Sequence, residues 1–483
     1  MTREAEVDMS FIVRAQRDVK FTVVRVSALA IIATSAIGAD ALAADHRLSR
    51  QDSNFNCSSV RPGDTVTLES GDRGPLTIQN CRGAEGQAIR IRNDATGSGP
   101  VVIRRTSGSA GGFVFSCIDC VHVEIDGSAK WAGAPMGKTY GIKVTMTGGE
   151  GPSAFLRAGG MSSFLTIRNV EVDGAWPALA NDGIGISVND HKVKASAHPG
   201  MWREGVLIEH NYVHDIEGEG LYVGPNWVQG DLPLRNIEIR YNIVENTGWD
   251  GINLKCSLAG TNSIHHNIVR RAGSRNDNES GQHSGIALYE ATGSIYSNWI
   301  EDAGQAGIFH YLNHLPSTKG AQTGEIFNNV ILRPGRLRPD KGHGINTGNR
   351  AGSAVPLAKI YHNTVVGARA NGIRVGDLAA GGFIRDNIIA DAASRAIAAP
   401  NSVPQANNRE GASSNMGFVN GSGYDFRLRH ESPARNAGGE QYPATDYRGV
   451  PRPQDGAPDQ GAFEFSNGGD NATQPKPPVL AVD

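Results

Sequence analysis

E-I-R-Y-N-I-V-E, Glu238 to Glu245, is a phrase that this chain keeps repeating. It returns as L-I-E-H-N-Y-V-H (Leu207–His214), S-I-H-H-N-I-V-R (Ser263–Arg270), S-I-Y-S-N-W-I-E (Ser294–Glu301), E-I-F-N-N-V-I-L (Glu325–Leu332), K-I-Y-H-N-T-V-V (Lys359–Val366) and F-I-R-D-N-I-I-A (Phe383–Ala390). The asparagines Asn211, Asn242, Asn267, Asn298, Asn329, Asn363 and Asn387 lie 31, 25, 31, 31, 34 and 24 residues apart. T-I-R-N-V-E-V-D reads as an earlier copy, with Asn169 in the asparagine place. A second short strand opened by glycine follows each phrase: E-G-L-Y-V-G, D-G-I-N-L-K, S-G-I-A-L-Y, A-G-I-F-H-Y, H-G-I-N-T-G and N-G-I-R-V-G. Alternating β-branched residues bounded by Gly and Asn signal strands. Two or three short strands per period of about 20–30 residues, with no helical stretch between them, predict a parallel β-solenoid. Asparagine suits the bend because it tolerates the left-handed conformation, and its amide can bond to its equivalent one rung away.

The repeat resembles the right-handed parallel β-helix proteins of the pectate-lyase type. The resemblance runs from about Asn56 to Glu464. V-R-P-G-D-T-V-T-L (Val60–Leu68) is similar to their entry segment; S-P-A-R-N-A-G (Ser432–Gly438) and Asp446–Glu464 are similar to their closing segment. The expected fold is an all-β, single-stranded right-handed parallel β-helix with an asparagine ladder. The expected organisation is an N-terminal cap over 44–110, coils over 111–400, a closing segment over 401–465 and a disordered tail over 466–483.

The remaining bounds come from composition and the chain's ends. Lys+Arg 46 against Asp+Glu 49 gives a net charge of -3, unlike a basic nucleic-acid-binding surface. With 61 glycines and 39% apolar residues the chain is turn-rich yet too apolar to be disordered. Arg14, Arg17, Lys20 and Arg25 precede the apolar run Val26–Gly38, and A-L-A closes it at Ala43. That is an export-signal pattern over 1–43, too short to span a membrane. A secreted or periplasmic protein is expected. The five cysteines fit an oxidising compartment. Cys57 can pair with Cys81 and Cys117 with Cys120, leaving Cys256 free and buried.

In a stacked repeat, aligned residues form columns about 4.8 Å apart. Aligning second strands on Gly183, Gly220, Gly251, Gly285, Gly307, Gly344 and Gly372 puts Asp182, Glu219 and Asp250 on successive coils. Carboxylates that close repel, and a hard cation such as Ca²⁺ removes the conflict. Two residues past the glycine, outward, come Tyr222, Asn253, Ala287, Phe309, Asn346 and Arg374; four past come Gly224, Lys255, Tyr289, Tyr311, Gly348 and Gly376. Lys255 is thereby expected one rung from Tyr289 and two from Tyr311, with His283 and His310 near the same band.

A lysine among tyrosines beside an acid cluster suits β-elimination on a uronate polymer. The C5 proton is removable once a cation neutralises the neighbouring carboxylate. A lysine whose pKa is lowered by positive charge can take it, and a tyrosine can protonate the leaving oxygen. Asp250, Lys255 five residues on, and Tyr289 on the next coil resemble the site of polysaccharide lyase family six, the alginate and dermatan lyases. That family usually has arginine at the place of Tyr289, and K-S where this chain has K-C-S. K-G-H-G-I-N-T-G (Lys341–Gly348) and N-G-I-R-V-G (Asn371–Gly376) are similar to two polygalacturonase motifs. The aspartates those hydrolases need are absent from the preceding strands, so His343 and Arg374 are read as substrate contacts. Long loops at Asp190–Glu204, Ser274–His283 and Asn313–Thr323 supply walls. His191, Lys192, Lys194, His198 and Arg203 make the first one basic.

The sequence therefore predicts a lyase on an anionic polysaccharide. Lys255 and Tyr289 are its catalytic pair. Tyr222, Asn253, His283, His310, Tyr311, His343 and Arg374 are its substrate contacts, and Asp182, Glu219 and Asp250 its Ca²⁺ ligands. A C5-epimerase starts from the same proton abstraction, and a non-catalytic carbohydrate-binding solenoid is the alternative of a different class.

Overall fold

The computed structural model describes residues 43–131, 133–134, 139–190, 192–227, 230–277 and 282–466. Residues 1–42 of the expected export signal over 1–43, His191 and the tail beyond residue 466 lie outside them. Three parallel sheets of thirteen, twelve and twelve strands run the length of the chain, each strand pairing with its equivalent one coil away. The chain is a right-handed parallel β-helix. A representative coil gives Leu234–Arg240 to the first sheet, Ile243–Thr247 to the second and Ile252–Lys255 to the third. Among the described residues no helix is long and apolar enough to cross a membrane.

The repeat forms a solenoid because its alternation fills one interior. Ile239, Ile264, Ile295, Ile326, Ile360 and Ile384 stack in register on the first sheet. Val244, Val269, Ile300, Ile331, Val365 and Ile389 do so on the second, and Ile252, Ile286, Ile308, Ile345 and Ile373 on the third. All are buried. Each such side chain contributes about 1.5–3 kcal/mol by leaving water.

The asparagines join the coils. Asn211, Asn242, Asn267, Asn298, Asn329 and Asn363 each donate from Nδ2 to Oδ1 of the next, at 3.0 Å. Asn387 extends the row to Asn408 at 2.9 Å. Two details differ from expectation. The left-handed residue is the one before each ladder asparagine, as at His210 (φ 58), Tyr241 (φ 53) and His266 (φ 55). The amide must lie inside the bend, so its neighbour makes the corner. Asn169 itself has φ 55, and Val170 holds the ladder place, its N–H donating to Asn211 Oδ1.

The glycine that opens each third-sheet strand is there for space. A Cβ on Gly251 would stand 2.5 Å from Val269 Cγ1 and 2.7 Å from the Gly285 carbonyl. Coil formation also starts earlier than the expected boundary at residue 110. Asp45–Leu48 and Thr65–Leu68 belong to the first sheet, Gly71–Arg73 to the second, and Asn54–Asn56 and Leu76–Gln79 to the third. The last rungs are Gln405–Ala406 and Arg409–Gly411.

The closing segment turns back along the second sheet. Met416, Phe418, Phe426, Leu428 and Phe463 cover the outward Trp299, Val330, Leu332, Ile388 and Ala390. Disulfides join Cys57 to Cys81 and Cys117 to Cys120, and Cys256 is free and buried.

Candidate active site

The outer face of the third sheet carries the candidate residues. Its register stacks Tyr222, Asn253, Ala287, Phe309, Asn346 and Arg374 in one column. A second column runs Lys255, Tyr289, Tyr311 and Gly348. Lys255 and Tyr289 are thus direct cross-strand partners. Gly224 lies beside Lys255, where a Cβ would meet the Lys255 carbonyl oxygen at 1.9 Å.

Lys255 Nζ is ringed by aromatic faces: Tyr289 at 5.2 Å, Trp227 at 5.8 Å and Tyr222 at 5.9 Å from the ring centroids. Among the described residues no carboxylate lies within ion-pairing distance of it. Trp227 is 57% exposed. Its backbone is pinned all the same, since its N–H donates to Asp231 Oδ2 at 3.2 Å, and Asp231 also holds Lys194 Nζ at 2.5 Å. Tyr222 is buried and its hydroxyl donates to Asn226 Oδ1 at 3.1 Å.

Glu219 and Asp250 sit at the glycine corner one coil apart, and both are buried. Burial pushes the Glu219 carboxyl up to about 7. Burial also holds Asp250 well above the carboxylate range; the Ser284 N–H donating at 2.7 Å opposes this, and the charge of Glu219 adds to it. Asn253 Nδ2 donates to Asp250 Oδ2 at 3.3 Å, while Asn253 Oδ1 is buried without a hydrogen-bond partner. Two buried carboxyls and an orphaned amide oxygen are hard oxygen donors of the kind a Ca²⁺ ion takes.

Asp182 does not join them. Ile186 pairs with Leu221, so Gly185 and not Gly183 stands opposite Gly220. Two glycines follow Asp182, and the second makes the close approach: its Cβ would be 2.5 Å from the Gly220 carbonyl. Asp182 lies on the surface, bonded to Arg275, whose other partners are Asp277 at 3.1 Å and Glu217 at 3.7 Å.

Three histidine expectations are also corrected. His310 follows Leu254 and Leu288 in the inward column, fully buried, with Nδ1 3.1 Å from Thr347 Oγ1. Burial pulls its pKa down to about 4. His283 is fully buried too, with Nε2 3.0 Å from Asp277 Oδ1. His343 is at the corner, buried, its Nδ1 accepting from the Asn371 N–H at 3.2 Å. None of the three lies on the outer face of the third-sheet strands. Arg374 does: it is exposed, donating to Asn346 Oδ1 at 3.1 Å. Tyr311 is half-buried against Phe309, ring centroids 5.2 Å apart. In the loop expected to be basic, Arg203 is wholly buried and Lys194 is paired with Asp231, which leaves Lys192 and the half-buried His198 at the surface.

The structure adds residues that the repeat does not contain. The loop after Tyr311 folds Asn313 and His314 over Tyr289. Asn313 Nδ2 donates to the Tyr289 hydroxyl at 2.7 Å. Burial raises the Tyr289 pKa to about 12, against the pull of the Asn313 hydrogen bond. His314 packs edge-on to Trp227, centroids 5.7 Å apart. Glu290, buried beneath, accepts from the Asn313 N–H at 3.2 Å and from the His314 N–H. No column rule could find these contacts, because the loop has no counterpart on other coils.

No family model matches the chain, and no curated protein matches it. Solved structures do. Pectate lyase Pel9A is 14% identical, with 88% of this chain and 96% of that chain covered and a TM-score of 0.48. A PL6 family alginate lyase, AlyGC, is 16% identical, with 86% of this chain and 57% of that chain covered and a TM-score of 0.41. The A-module of the Azotobacter vinelandii mannuronan C-5 epimerase AlgE4 is 14% identical, with 71% and 90% covered and a TM-score of 0.37. These are likenesses of backbone path, and this chain's chemistry is read from its own side chains.

Proposed function

We propose that the protein is a secreted or periplasmic polysaccharide lyase that cleaves a uronate-containing polymer by β-elimination. The observation that carries this is the in-register pair Lys255 and Tyr289 on the outer face of the third sheet, beside the buried carboxyls of Glu219 and Asp250. Lys255 is the base and removes the C5 proton. Tyr289 is the acid and protonates the oxygen leaving C4, whose electron pair comes from the breaking C4–O bond. The C5–H electrons become the C4=C5 double bond. An amine can serve as base at neutral pH when positive charge stands near it, and a tyrosine of high pKa keeps the proton it must donate.

Glu219, Asp250 and Asn253 Oδ1 would hold a Ca²⁺ ion. Bound there, it supplies charge that neutralises the substrate's carboxylate and stabilises the enolate-like electron pair. Trp227 offers an exposed, anchored ring for a sugar to lie against.

The test is a panel of uronate polymers with Ca²⁺, followed at the ultraviolet absorbance of unsaturated products. Absorbance that requires Lys255 supports the lyase. Inverted C5 stereochemistry without absorbance identifies an epimerase, and binding without turnover identifies a carbohydrate-binding solenoid; either overturns the proposal. A rise in melting temperature on adding Ca²⁺, absent in Glu219→Gln, tests the ion independently of activity.

A further inference from the structure

We infer that Glu290, His314 and Asn313 are positioning residues that set the Tyr289 hydroxyl as a proton donor. This rests on the proposed role of Tyr289 as the acid. An ionised carboxylate only accepts hydrogen bonds. Glu290 Oε1 lies 3.1 Å from His314 Nδ1, within ion-pairing distance, where a proton on Nδ1 is favoured over a bare lone pair facing the carboxylate. In the neutral imidazole Nε2 is then the acceptor. Nε2 is 3.3 Å from Asn313 Nδ2. This assigns the Asn313 amide: its NH₂ group, not its oxygen, faces the histidine and Tyr289. The two amide hydrogens go to His314 Nε2 and the Tyr289 oxygen. The phenol oxygen therefore accepts from Asn313, and its own proton is left to point away from the amide.

The opposite amide orientation would defeat the acid. An asparagine oxygen at 2.7 Å from the phenol would take its proton as a hydrogen bond and hold it away from substrate. The charged and titratable groups around Tyr289 are Lys255 on one neighbouring strand, Tyr311 on the other, and Glu290 and Cys256 at the corner. Among the described residues the hydrogen bond to the hydroxyl comes from Asn313, so Asn313 fixes its direction. The loop can do this because it is anchored from below. Glu290 receives both the Asn313 and the His314 backbone N–H groups, and also lies 3.8 Å from the Cys256 thiol.

The experiment compares two leaving groups on the full chain. One substrate is the uronate polymer turned over in the panel above. The other is a uronate carrying 4-nitrophenolate at C4, which departs without protonation. Asn313→Ala should lower kcat on the polymer about 10- to 100-fold with KM little changed, and stay within about threefold of the parent on the nitrophenolate. Asn313→Asp, which puts an acceptor against the phenol, should be worse than Asn313→Ala on the polymer only. Equal losses on both substrates mean that Asn313 merely packs the loop, and overturn the inference. Full polymer activity in Asn313→Asp overturns it too. Tyr289→Phe separates the two levels. If it is impaired while Asn313→Ala is not, the positioning role alone fails; if it is fully active, the acid role of Tyr289 fails with it.

Discussion

Lys255 illustrates how one side chain acquires meaning from its neighbours. Ile252 and Leu254 fill the core, so Asn253 and Lys255 must face outward, and the outward row places Lys255 against Tyr289. Lys255→Ala should abolish turnover while leaving the melting temperature nearly unchanged, because a half-exposed lysine without an ion pair contributes little to stability. Lys255→Arg should be equally inactive, since guanidinium keeps its proton at any working pH. Product absorbance and a thermal melt on the same preparations check both. His310 gives a second prediction at this scale. Its folded pKa of about 4 lies below the ordinary 6.5, so the unfolded chain binds its proton first. Stability from this group is therefore full above pH 6.5 and falls as pH drops towards 4, by about 3 kcal/mol at most. Urea titrations at pH 7, 5.5 and 4.5 should show this loss, and His310→Leu should flatten it.

At the scale of the element, the ladder is the part whose failure is easiest to foresee. Asn298 Oδ1 accepts from Asn267 N and Nδ2, and Asn298 Nδ2 donates to Ile264 O, Tyr296 O and Asn329 Oδ1. Asn298→Ala removes the acceptor of the Asn267 backbone N–H and the side-chain donor to Ile264 O in a dry bend, while Tyr296 O keeps the His266 N–H and Asn329 Oδ1 keeps the Asn298 N–H. An unsatisfied buried polar group costs about 1–3 kcal/mol, so a loss of several kcal/mol is expected in denaturant unfolding. Asn408→Ala, at the half-buried end of the row, should cost clearly less. The phrase around each asparagine makes the ladder legible in the sequence. It did not reveal which residue bends the chain. That residue varies among His, Tyr, Ser, Asn and Asp, because the left-handed corner is exposed or filled by different neighbours from coil to coil.

The whole molecule treats its three faces differently. The closing segment seals the second sheet with Phe418, Phe426 and Phe463, whereas the outer face of the third sheet keeps the half-buried Lys255, Tyr289 and Tyr311 and the exposed Arg374. A chain ended at Gly411 should keep its coils but bind a hydrophobic dye, because Trp299, Val330 and Ile388 lose their cover. Along the third sheet Arg374 stands four rungs from Asn253, about 19 Å at the spacing of parallel strands. Arg374→Ala should raise KM about two- to fivefold for long uronate chains and leave kcat alone, since an exposed cation contributes no more than about 1 kcal/mol. Short oligomers that cannot span the distance should be insensitive to it, and steady-state kinetics on a length series decides this.

The linear order of residues determined the solenoid, its period, the inward isoleucine and valine columns and the pairing of Lys255 with Tyr289. Each follows from a period-2 alternation repeated at near-constant spacing, and such a pattern can be aligned with itself. The tertiary structure alone decided what breaks the repeat. The second glycine in N-D-G-I-G-I-S-V moved Asp182 by two positions and out of the acid column. The position of His283 is likewise set by a contact made once, its Nε2 3.0 Å from Asp277 Oδ1, whereas His310 sits in the inward row that the alternation itself assigns to it. Asn313 and His314 reach Tyr289 through a loop found once in the chain. Periodicity constrains residues that recur, because every copy must satisfy the same rung; a contact made once is set only by the path that its loop takes across the finished surface.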